Sequence, residues 1–344
     1  MTRWKHQLQL FSRRDALRIG GVGAIGLAVG CESLDLPEVH LNDAWPPISP
    51  TPDFYVQSRA GTPTVDVDAH RMEIRDRGVT VGSIGLADLQ GLSGRDREHT
   101  LQCIGASPRV LYIDNAEWTG LPFREVLEAL GIPVPVDALE LVFRCADDYH
   151  TSIPATDLDG LSPETGTDEP LWLVWAMNGE PLTAPHGAPF RFLTPGRYGT
   201  KNPKWTLSLD FVDDAHTGYW EGRGWSNAAT YRTNTFVLGP PSMSVVGEGL
   251  VRILGSAFAG PRDIERVEIT VDGGATWTDA AIDYQPGGHV WTLWSFDWAL
   301  DTPGTYELQA RAWDADGGSS TLDPSGTDSR SGFDGGMVLE LTVT

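Results

Sequence analysis

The chain has 344 residues and a formal net charge of −22, from 47 acidic and 25 basic side chains. So large an excess of negative charge disfavours nucleic acid as a partner, because a polyanion would be repelled. Only three cysteines occur, fewer than a secreted domain stabilised by disulfides normally carries.

The N-terminus has the pattern of a targeting peptide. Arg13 and Arg14 precede a run, 19–29, that is apolar apart from its glycines and too short to span a bilayer comfortably. Paired arginines are typical of the twin-arginine export route, which carries proteins already folded around a cofactor; an ordinary secretory signal is the alternative. We therefore expect residues 1–31 to be a signal peptide and the protein to be periplasmic or otherwise extracytoplasmic.

The end of this segment also resembles a lipoprotein cleavage box. Residues 27–31 read Leu-Ala-Val-Gly-Cys, with the leucine one position earlier than usual. A lipid on Cys31 would tether the protein to a membrane without making it transmembrane. Residues 32–52 are proline-rich and without periodicity, so we expect a linker or an arm lying over the surface.

The first folded region is predicted at 53–238. The run 140–144 alternates like a strand, and the segment 122–131 predicts a helix, because four apolar residues share one face and Gly131 supplies a stop. Strands with few, separated helices indicate the α+β class.

A Gly-Pro-Pro-Ser break at 239–242 opens the second region, 239–344. Short alternating runs separated by turn residues follow at 250–254, 266–271, 290–294, 306–313 and 337–343. The sequence Asp-Gly-Gly at 272–274 is a hairpin signal. This spacing predicts an immunoglobulin-like β-sandwich, large enough to have its own core.

Two residue types are scarce enough for their positions to be informative. Cys103 lies between an apolar strand-like run and a glycine turn, which favours a metal ligand over half of a disulfide, whereas Cys145 is most simply a small buried hydrophobe. Of only three lysines, Lys201 and Lys204 lie close together. Their clustering indicates an anion-binding loop, with chance as the alternative.

Six sequence blocks stand in a fixed order: Leu101–Gly105, Asn115–Pro122, Tyr149–Pro154, Met177–Leu182, His186–Arg191 and Pro195–Trp205. This order resembles that of the sulfite oxidase family of molybdopterin enzymes. The second region resembles the family's molybdenum-cofactor dimerisation domain, so the resemblance covers residues 54–344. It implies an enzyme with a molybdenum-molybdopterin cofactor that performs two-electron oxygen-atom transfer on a small sulfur compound, and a homodimer.

The resemblance also implies roles for individual residues. Cys103 matches the cysteine that ligates molybdenum in the family, where a soft thiolate suits the metal. Tyr149 matches an active-site phenol near the metal's oxo ligands. The residues that match those holding the pterin and its phosphate are His186, Arg191, Gly196, Gly199, Lys201 and Lys204.

The chain departs from the sulfite-oxidising members of the family, which surround their dianionic substrate with arginines. Gln57 and Pro108 stand where two of these are expected, whereas Arg262 matches a third and is expected at the substrate pocket. Loss of a buried ion contact weakens dianion binding by about 2–5 kcal/mol unless Arg59 or Arg109 compensates. We therefore expect a sulfoxide-like or other weakly charged substrate in preference to an oxo-anion such as sulfite.

The sequence contains no Cys-x-x-Cys-His haem attachment motif and no room for a cytochrome b5-like domain. We therefore expect electrons to be exchanged with a separate carrier, such as a c-type cytochrome. Two alternatives stay open: a non-catalytic relative that acts as a binding lipoprotein, and a sulfoxide-type reductase.

Overall fold

The structure, a computed structural model, describes residues 45–107, 110–322, 330–336 and 338–344. The predicted signal peptide with Cys31, most of the predicted linker, and the pair Pro108 and Arg109 lie outside the described residues. In the part of the chain that is described, no helix has the length and apolar character needed to cross a membrane.

The first region holds ten of the described strands. They are β1 (Arg71–Asp76), β2 (Val79–Gly85), β3 (Arg95–Gln102), β4 (Ile113–Pro122), β5 (Glu140–Cys145), β6 (His150–Pro154), β7 (Trp172–Met177), β8 (Glu180–Pro181), β9 (Arg191–Leu193) and β10 (Thr206–Val212). The α-helices are α1 (Leu86–Gln90) and α2 (Phe123–Ala129). One-turn 3₁₀ helices follow at Ala155–Asp159, Ala184–His186, Gly199–Lys201 and Glu221–Arg223.

Two sheets enclose the core of the first region. One has the strand order β2-β1-β10-β5-β6; the other has the order β3-β4-β7-β8, with β9 also paired to β7. Phe192 of β9 packs edge-on against Phe123 of α2 and Phe143 of β5, with ring centroids 5.0 and 4.9 Å away. Both sheets and the helix therefore share one apolar cluster. The helix predicted at 122–131 is confirmed, and it buries Phe123, Val126 and Leu127 as its pattern requires.

The second region holds the remaining described strands. They are β11 (Asn234–Gly239), β12 (Ser244–Val246), β13 (Gly249–Phe258), β14 (Ile264–Thr270), β15 (Thr278–Asp279), β16 (Ala281–Tyr284), β17 (Thr292–Leu300), β18 (Gly304–Asp314) and β19 (Val338–Val343). Each predicted strand run corresponds to one of β13, β14, β17, β18 and β19. The predicted Asp-Gly-Gly turn joins β14 to β15, and both glycines have positive φ, at +70° and +90°.

These strands form two sheets, with orders β11-β13-β17-β16 and β12-β19-β18-β14-β15. Both contribute to a single buried cluster, in which Ile253 and Trp294 of the first sheet meet Leu308 and Leu341 of the second. β11 pairs antiparallel with β13, from Asn234 opposite Phe258 onward. The chain therefore enters this domain before the break at Gly239, which marks the end of β11.

The described residues are β-rich, and the two α-helices have only five and seven residues. The helical share is thus smaller than the α+β class implies. The two opposed sheets of the first region and the short helix α2 bury one another's apolar side chains in a single cluster. No further helix is needed to cover this core.

The two regions are joined at a buried polar contact centred on Thr100, on β3. Its N–H donates to the carbonyl oxygen of His289 at 2.8 Å, and its hydroxyl oxygen accepts from the N–H of Trp291 at 2.8 Å. The arm at 45–52 covers this contact: the carbonyl of Pro47 accepts from Asn115 Nδ2 at 3.0 Å and from Trp291 Nε1 at 2.9 Å. These hydrogen bonds adjoin a buried apolar cluster, in which Ile104 and Ile113 of the first region and Phe258 and Leu293 of the second take part, so polar and apolar contacts together fix the placement of the two regions.

Replacing Thr100 with valine should lower the free energy of unfolding by about 1–3 kcal/mol, because the buried N–H of Trp291 loses its acceptor. Thr80→Val, at an exposed site on β2, is the matched control and should change stability by less than about 0.5 kcal/mol. Urea denaturation measures both. Equal stability of the two variants would contradict this role for Thr100.

Candidate active site

A cavity of about 250 Å³ opens where the first region meets the loop that leads into the second. Five segments contribute most of its lining: residues 54–59, the end of β3 with the turn after it, the turn between β5 and β6, the loop between β9 and β10, and the loop at 220–225. Its polar and charged side chains include Gln57, Arg59, Cys103, Asp147, Tyr149, Arg191 and Lys204. Six of the remaining lining residues are aromatic: Phe54, Tyr55, Tyr112, Trp205, Trp220 and Trp225.

Cys103 directly follows β3 and lines the cavity. Its N–H donates to the carbonyl of Tyr112 and its carbonyl accepts from the N–H of Ala106, at 2.8 and 3.0 Å, so a tight turn fixes the thiol. Burial raises the pKa of the Cys103 thiol, and a hydrogen bond from the Gly105 backbone opposes that rise. The other described cysteine, Cys145, is buried as predicted, and burial raises its pKa to about 12.

Arg191 begins β9 and is a buried cation without an anionic partner among the described residues. Its Nη atoms donate only to the carbonyls of His186 and Asn202, at 3.3 and 3.4 Å, and its Nε has no partner in the same part of the chain. The guanidinium stands 5.2 Å from the ring centroid of Trp118. Burial lowers the pKa of Arg191 to about 10.

Lys204 is a second cation in the same lining, and it is half-buried. Its Nζ donates to the carbonyl of Pro185 at 2.7 Å and stands 4.3 Å from the ring centroid of Trp205. Burial, and next the nearby Arg191, lower the pKa of Lys204 to about 7. Two like charges buried together are costly unless an anion binds between them.

The two predicted glycines have different environments. Gly199 lines the cavity, and a Cβ there would lie 3.2 Å from the hydroxyl of Tyr55 and 3.7 Å from the Cα of Cys103, so any side chain would enter the space. Gly196 lies outside the lining with φ +80°, and a Cβ there would lie 2.7 Å from the Cβ of Thr165. Gly199, and not Gly196, is therefore the one placed to let a ligand approach the backbone.

His186 lies beside the cavity and contacts two segments next to it, the arm at Thr51 and the side chain of Arg191. Its Nε2 lies 3.0 Å from the carbonyl of Thr51, and its own carbonyl accepts from Arg191. Burial lowers the pKa of His186 to about 4, so the ring is neutral near pH 7. His186 thus holds the arm and Arg191 in place, and it is not part of the lining.

Tyr149 lines the cavity as predicted from the resemblance. Its hydroxyl donates to the carbonyl of Thr200 at 2.5 Å. Burial, and next the charge of Glu221, raise the pKa of Tyr149 well above its usual value. The phenol is therefore protonated throughout the physiological range.

The structure does not bring Lys201 into the cavity. Its ammonium is buried in an ion pair with Glu221, and it also donates to the carbonyl of Ser152 at 2.8 Å and to Asn227 Oδ1 at 3.2 Å. Burial lowers the pKa of Lys201, while Glu221 opposes the shift. The charge of Lys201 is therefore already neutralised within the protein.

Arg262, expected at the substrate pocket, also lies outside the lining. Its Nε pairs with Asp314 Oδ2 at 2.9 Å, and an Nη atom donates to the carbonyl of Tyr231 at 3.2 Å. Asp314 is buried and requires a cationic partner. This requirement holds Arg262 in the interface between the two regions.

Gln57 and Arg59 both line the cavity. Arg59 donates to the carbonyl of Asp147 at 2.9 Å and to Asp148 Oδ2 at 3.4 Å, and its guanidinium lies 4.7 Å from the ring centroid of Tyr219. Its Nε is buried without a partner among the described residues. Arg59 is thus the cation nearest in sequence to Gln57, where the resemblance leads us to expect an arginine. A substrate anion would have to compete with Asp148 for the guanidinium of Arg59.

Sequence reasoning missed the aromatic wall and Asp147. Trp220 and Trp225 line the cavity from a loop that carries no regular apolar period. The concentration of aromatic residues in Tyr-Trp-Glu-Gly-Arg-Gly-Trp at 219–225 was the available signal. Which side of that loop faces a cavity depends on tertiary contacts.

Comparison with known proteins agrees with this geometry. The family model of the oxidoreductase molybdopterin binding domain matches residues 59–220, and that of the Mo-co oxidoreductase dimerisation domain matches residues 227–324. The chain is 25% identical over 323 residues to sulfite oxidase of Arabidopsis thaliana, covering 78% of this chain and 81% of that protein. It is 26% identical over 294 residues to mitochondrial sulfite oxidase of Homo sapiens, covering 72% of this chain and 52% of that protein.

The chain thus spans about half the length of the mammalian relatives that it matches. Among solved structures, it matches the sulfane dehydrogenase SoxCD from Paracoccus pantotrophus with a TM-score of 0.70, at 19% identity, covering 92% of this chain and 93% of that chain. At that identity the match shows the fold alone.

The two family models together cover most of the chain, so the protein is an oxidoreductase that uses a molybdenum-molybdopterin cofactor. Within that class it belongs to the sulfite oxidase family. This membership disfavours the non-catalytic lipoprotein that the sequence had left open.

We expect Arg191→Ala and Lys204→Ala to lower the pterin content of the purified protein, because each removes a charge-assisted contact worth about 1.5–3 kcal/mol to an anion. Lys201→Met is the matched control. It removes a lysine already paired with Glu221, so it should lower the free energy of unfolding by about 3–5 kcal/mol while the folded fraction keeps its pterin. Fluorescence of the released, oxidised pterin and chemical denaturation measure the two effects. Full pterin content in both alanine variants would place the phosphate site elsewhere.

Proposed function

We propose that this protein is an exported oxidoreductase that transfers an oxygen atom, with two electrons, to or from a small sulfur compound bound in the cavity beside Cys103. For a thioether the balanced reaction is R₂S + H₂O → R₂SO + 2 H⁺ + 2 e⁻, with a one-electron carrier as the electron partner. The observation that carries the proposal is that one cavity contains the thiol of Cys103, buried Arg191 and half-buried Lys204, and that neither cation forms an ion pair with a described carboxylate.

The residues present fit a molybdenum-molybdopterin group. The soft Cys103 sulfur suits the metal, Arg191 and Lys204 supply cations for the phosphate, and the missing side chain of Gly199 lets the anion approach backbone N–H groups. When bound, the group supplies the redox and oxygen-transfer chemistry. The chain itself orients the substrate. Tyr149 stays protonated, and its single O–H donates to the carbonyl of Thr200, so it can donate to a substrate oxygen only by leaving that carbonyl.

The lining favours a neutral or weakly charged substrate over sulfite. Gln57 is neutral, and the cation nearest in sequence, Arg59, donates to the backbone carbonyl of Asp147 and forms an ion pair with the exposed carboxylate of Asp148. Arg262 is held by Asp314 away from the lining. A dianion would therefore enter a cavity whose remaining cations, Arg191 and Lys204, are assigned to the cofactor phosphate.

Export by the twin-arginine route, with or without a lipid on Cys31, remains our proposal from the N-terminal pattern. The match to a dimerisation domain supports a homodimer, in which the C-terminal sheets would form an immunoglobulin-like sandwich. The carrier is proposed to be a separate protein such as a c-type cytochrome. A second candidate is the reverse reaction, reduction of a sulfoxide, favoured by the same neutral Gln57.

We expect purified protein from a cofactor-competent host to contain about one molybdenum per chain, and Cys103→Ala to abolish turnover, because the alanine lacks the thiolate ligand. Cys145→Ala, which alters a buried thiol outside the lining, is the matched control and should keep its metal. Elemental analysis and dye-linked assays measure both. An absence of molybdenum in the wild-type protein would refute the proposal.

We expect the wild-type enzyme to oxidise sulfite weakly and Gln57→Arg to lower the KM for sulfite by about twofold to fivefold, since Gln57 is exposed and a charge contact at an exposed site is worth at most about 1 kcal/mol. Gln90→Arg adds the same charge at an exposed site at the end of α1 and should leave the KM unchanged. Steady-state kinetics with an artificial acceptor provide the measurement. Saturation of the wild-type enzyme at low micromolar sulfite would contradict the substrate assignment.

A further inference from the structure

The loop at 216–227, here called the tryptophan loop, forms part of the cavity wall nearest to Cys103. The two family models end at residue 220 and begin at residue 227, so the stretch between them is matched by neither. Trp220 and Trp225 of this loop both line the cavity.

Trp225 lies against the same turn that carries the thiol. Its ring carbon Cη2 is 3.5 Å from the position that a Cβ on Gly105 would occupy, and the Sγ of Cys103 is 4.0 Å from that same position. The ring of Trp220 adjoins it, with centroids 5.6 Å apart at an angle of 63°. The approach to the thiol is therefore bounded by an indole edge on one side.

Buried polar contacts fix the tryptophan loop to the rest of the first region. Lys201 forms an ion pair with Glu221 and donates to Asn227 Oδ1 at 3.2 Å, so a single ammonium fixes two points of the loop. The hydroxyl of Thr151 also donates to Glu221, at 3.0 Å. Within the loop, the N–H of Trp225 donates to the carbonyl of Trp220 at 3.2 Å. These contacts restrict the positions available to both indoles.

We propose that Trp225 is a specificity-determining residue, which limits access to Cys103 to small, uncharged groups, and that Lys201 is the positioning residue that holds it. An indole edge cannot replace the hydration of a charged substrate, and a rigid one excludes bulky substituents. The proposal deepens the proposed function, because it concerns the substrate that this same cavity accepts. It gives a role to Lys201, which binds Glu221 and Asn227 of the tryptophan loop and does not line the cavity.

The first test uses the full chain prepared without cofactor, and reads access to the thiol directly. Iodoacetamide and N-(1-pyrenyl)iodoacetamide have the same reactive group and differ in bulk; peptide mass spectrometry identifies the alkylation of Cys103. We expect Trp225→Ala to raise the ratio of bulky to small alkylation rates at Cys103 by about tenfold or more. A change in thiol pKa would alter both rates alike and leave the ratio unchanged.

Trp277→Ala is the matched control, since Trp277 is a half-buried indole of the second region that lies outside the lining and packs on Arg311 at 3.9 Å. It should leave the ratio at the wild-type value. An equal ratio in Trp225→Ala and wild type would overturn the role of Trp225.

Lys201 is tested by the same ratio together with thermal unfolding. Lys201→Met and Glu221→Gln each weaken the anchor, and the second keeps the shape of the side chain in case the first does not fold. We expect both to shift the ratio in the direction of Trp225→Ala, and Lys201→Arg to restore it in part. A loss of thermal stability with an unchanged ratio would show that Lys201 is structural only and would overturn its positioning role.

The holoenzyme separates this inference from the proposed function. Dimethyl sulfoxide and methyl phenyl sulfoxide, with a reduced viologen as electron donor, undergo the same reduction, R₂SO + 2 H⁺ + 2 e⁻ → R₂S + H₂O. Trp225→Ala should raise kcat/KM for the phenyl compound relative to the methyl compound by about tenfold. Turnover with an unchanged ratio would overturn the inference alone. A shifted alkylation ratio without turnover of any sulfur compound would support it and count against the proposed function.

Discussion

The organisation of the site follows from one constraint: buried Arg191 and half-buried Lys204 lie in one cavity, and no described carboxylate forms an ion pair with either. Asp147, in the same lining, offsets the charge of Lys204 only in part. Each cation satisfies part of its hydrogen bonding with backbone carbonyls, which carry no full negative charge. Burial and mutual repulsion lower the pKa of Lys204 to about 7. An anionic cofactor that binds between the two cations offsets the free-energy cost of their burial and repulsion. Binding of the cofactor therefore stabilises the folded arrangement of the cavity wall.

Two ion pairs outside the cavity show the contrast. Lys201 has Glu221 and Arg262 has Asp314, and neither of these pairs lines the cavity. They hold the tryptophan loop and the interface between the two regions, where a fixed geometry is required but no ligand. Breaking such a pair leaves one charge buried alone, which is far more costly than breaking an exposed pair. The presence or absence of a carboxylate partner among the described residues therefore distinguishes cations that stabilise the fold from cations that are available to bind an anionic ligand.

Much of the fold was predictable from local patterns. The helix at α2 and the strands of the second region were anticipated because apolar spacing and turn residues such as Gly273 act over a few residues. The assignment of β11 was not, because its pairing with β13 depends on residues far away in the chain. The α+β class also overestimated the helical share, since only sheet pairing reveals that two opposed sheets suffice to close the first core.

The sequence by itself determined the chemical class: a lone thiol in a strand-to-turn block, a scarce pair of lysines, and ordered blocks that resemble one enzyme family. Tertiary structure alone decided which cations face the cavity. Lys201 and Lys204 are close in the chain and equal in chemistry, yet Lys201 forms an ion pair with Glu221, whereas Lys204 donates to a carbonyl oxygen and packs on a ring face. The physical reason is that charge compensation acts through space, so the state of a buried cation depends on which distant carboxylates the fold brings to it.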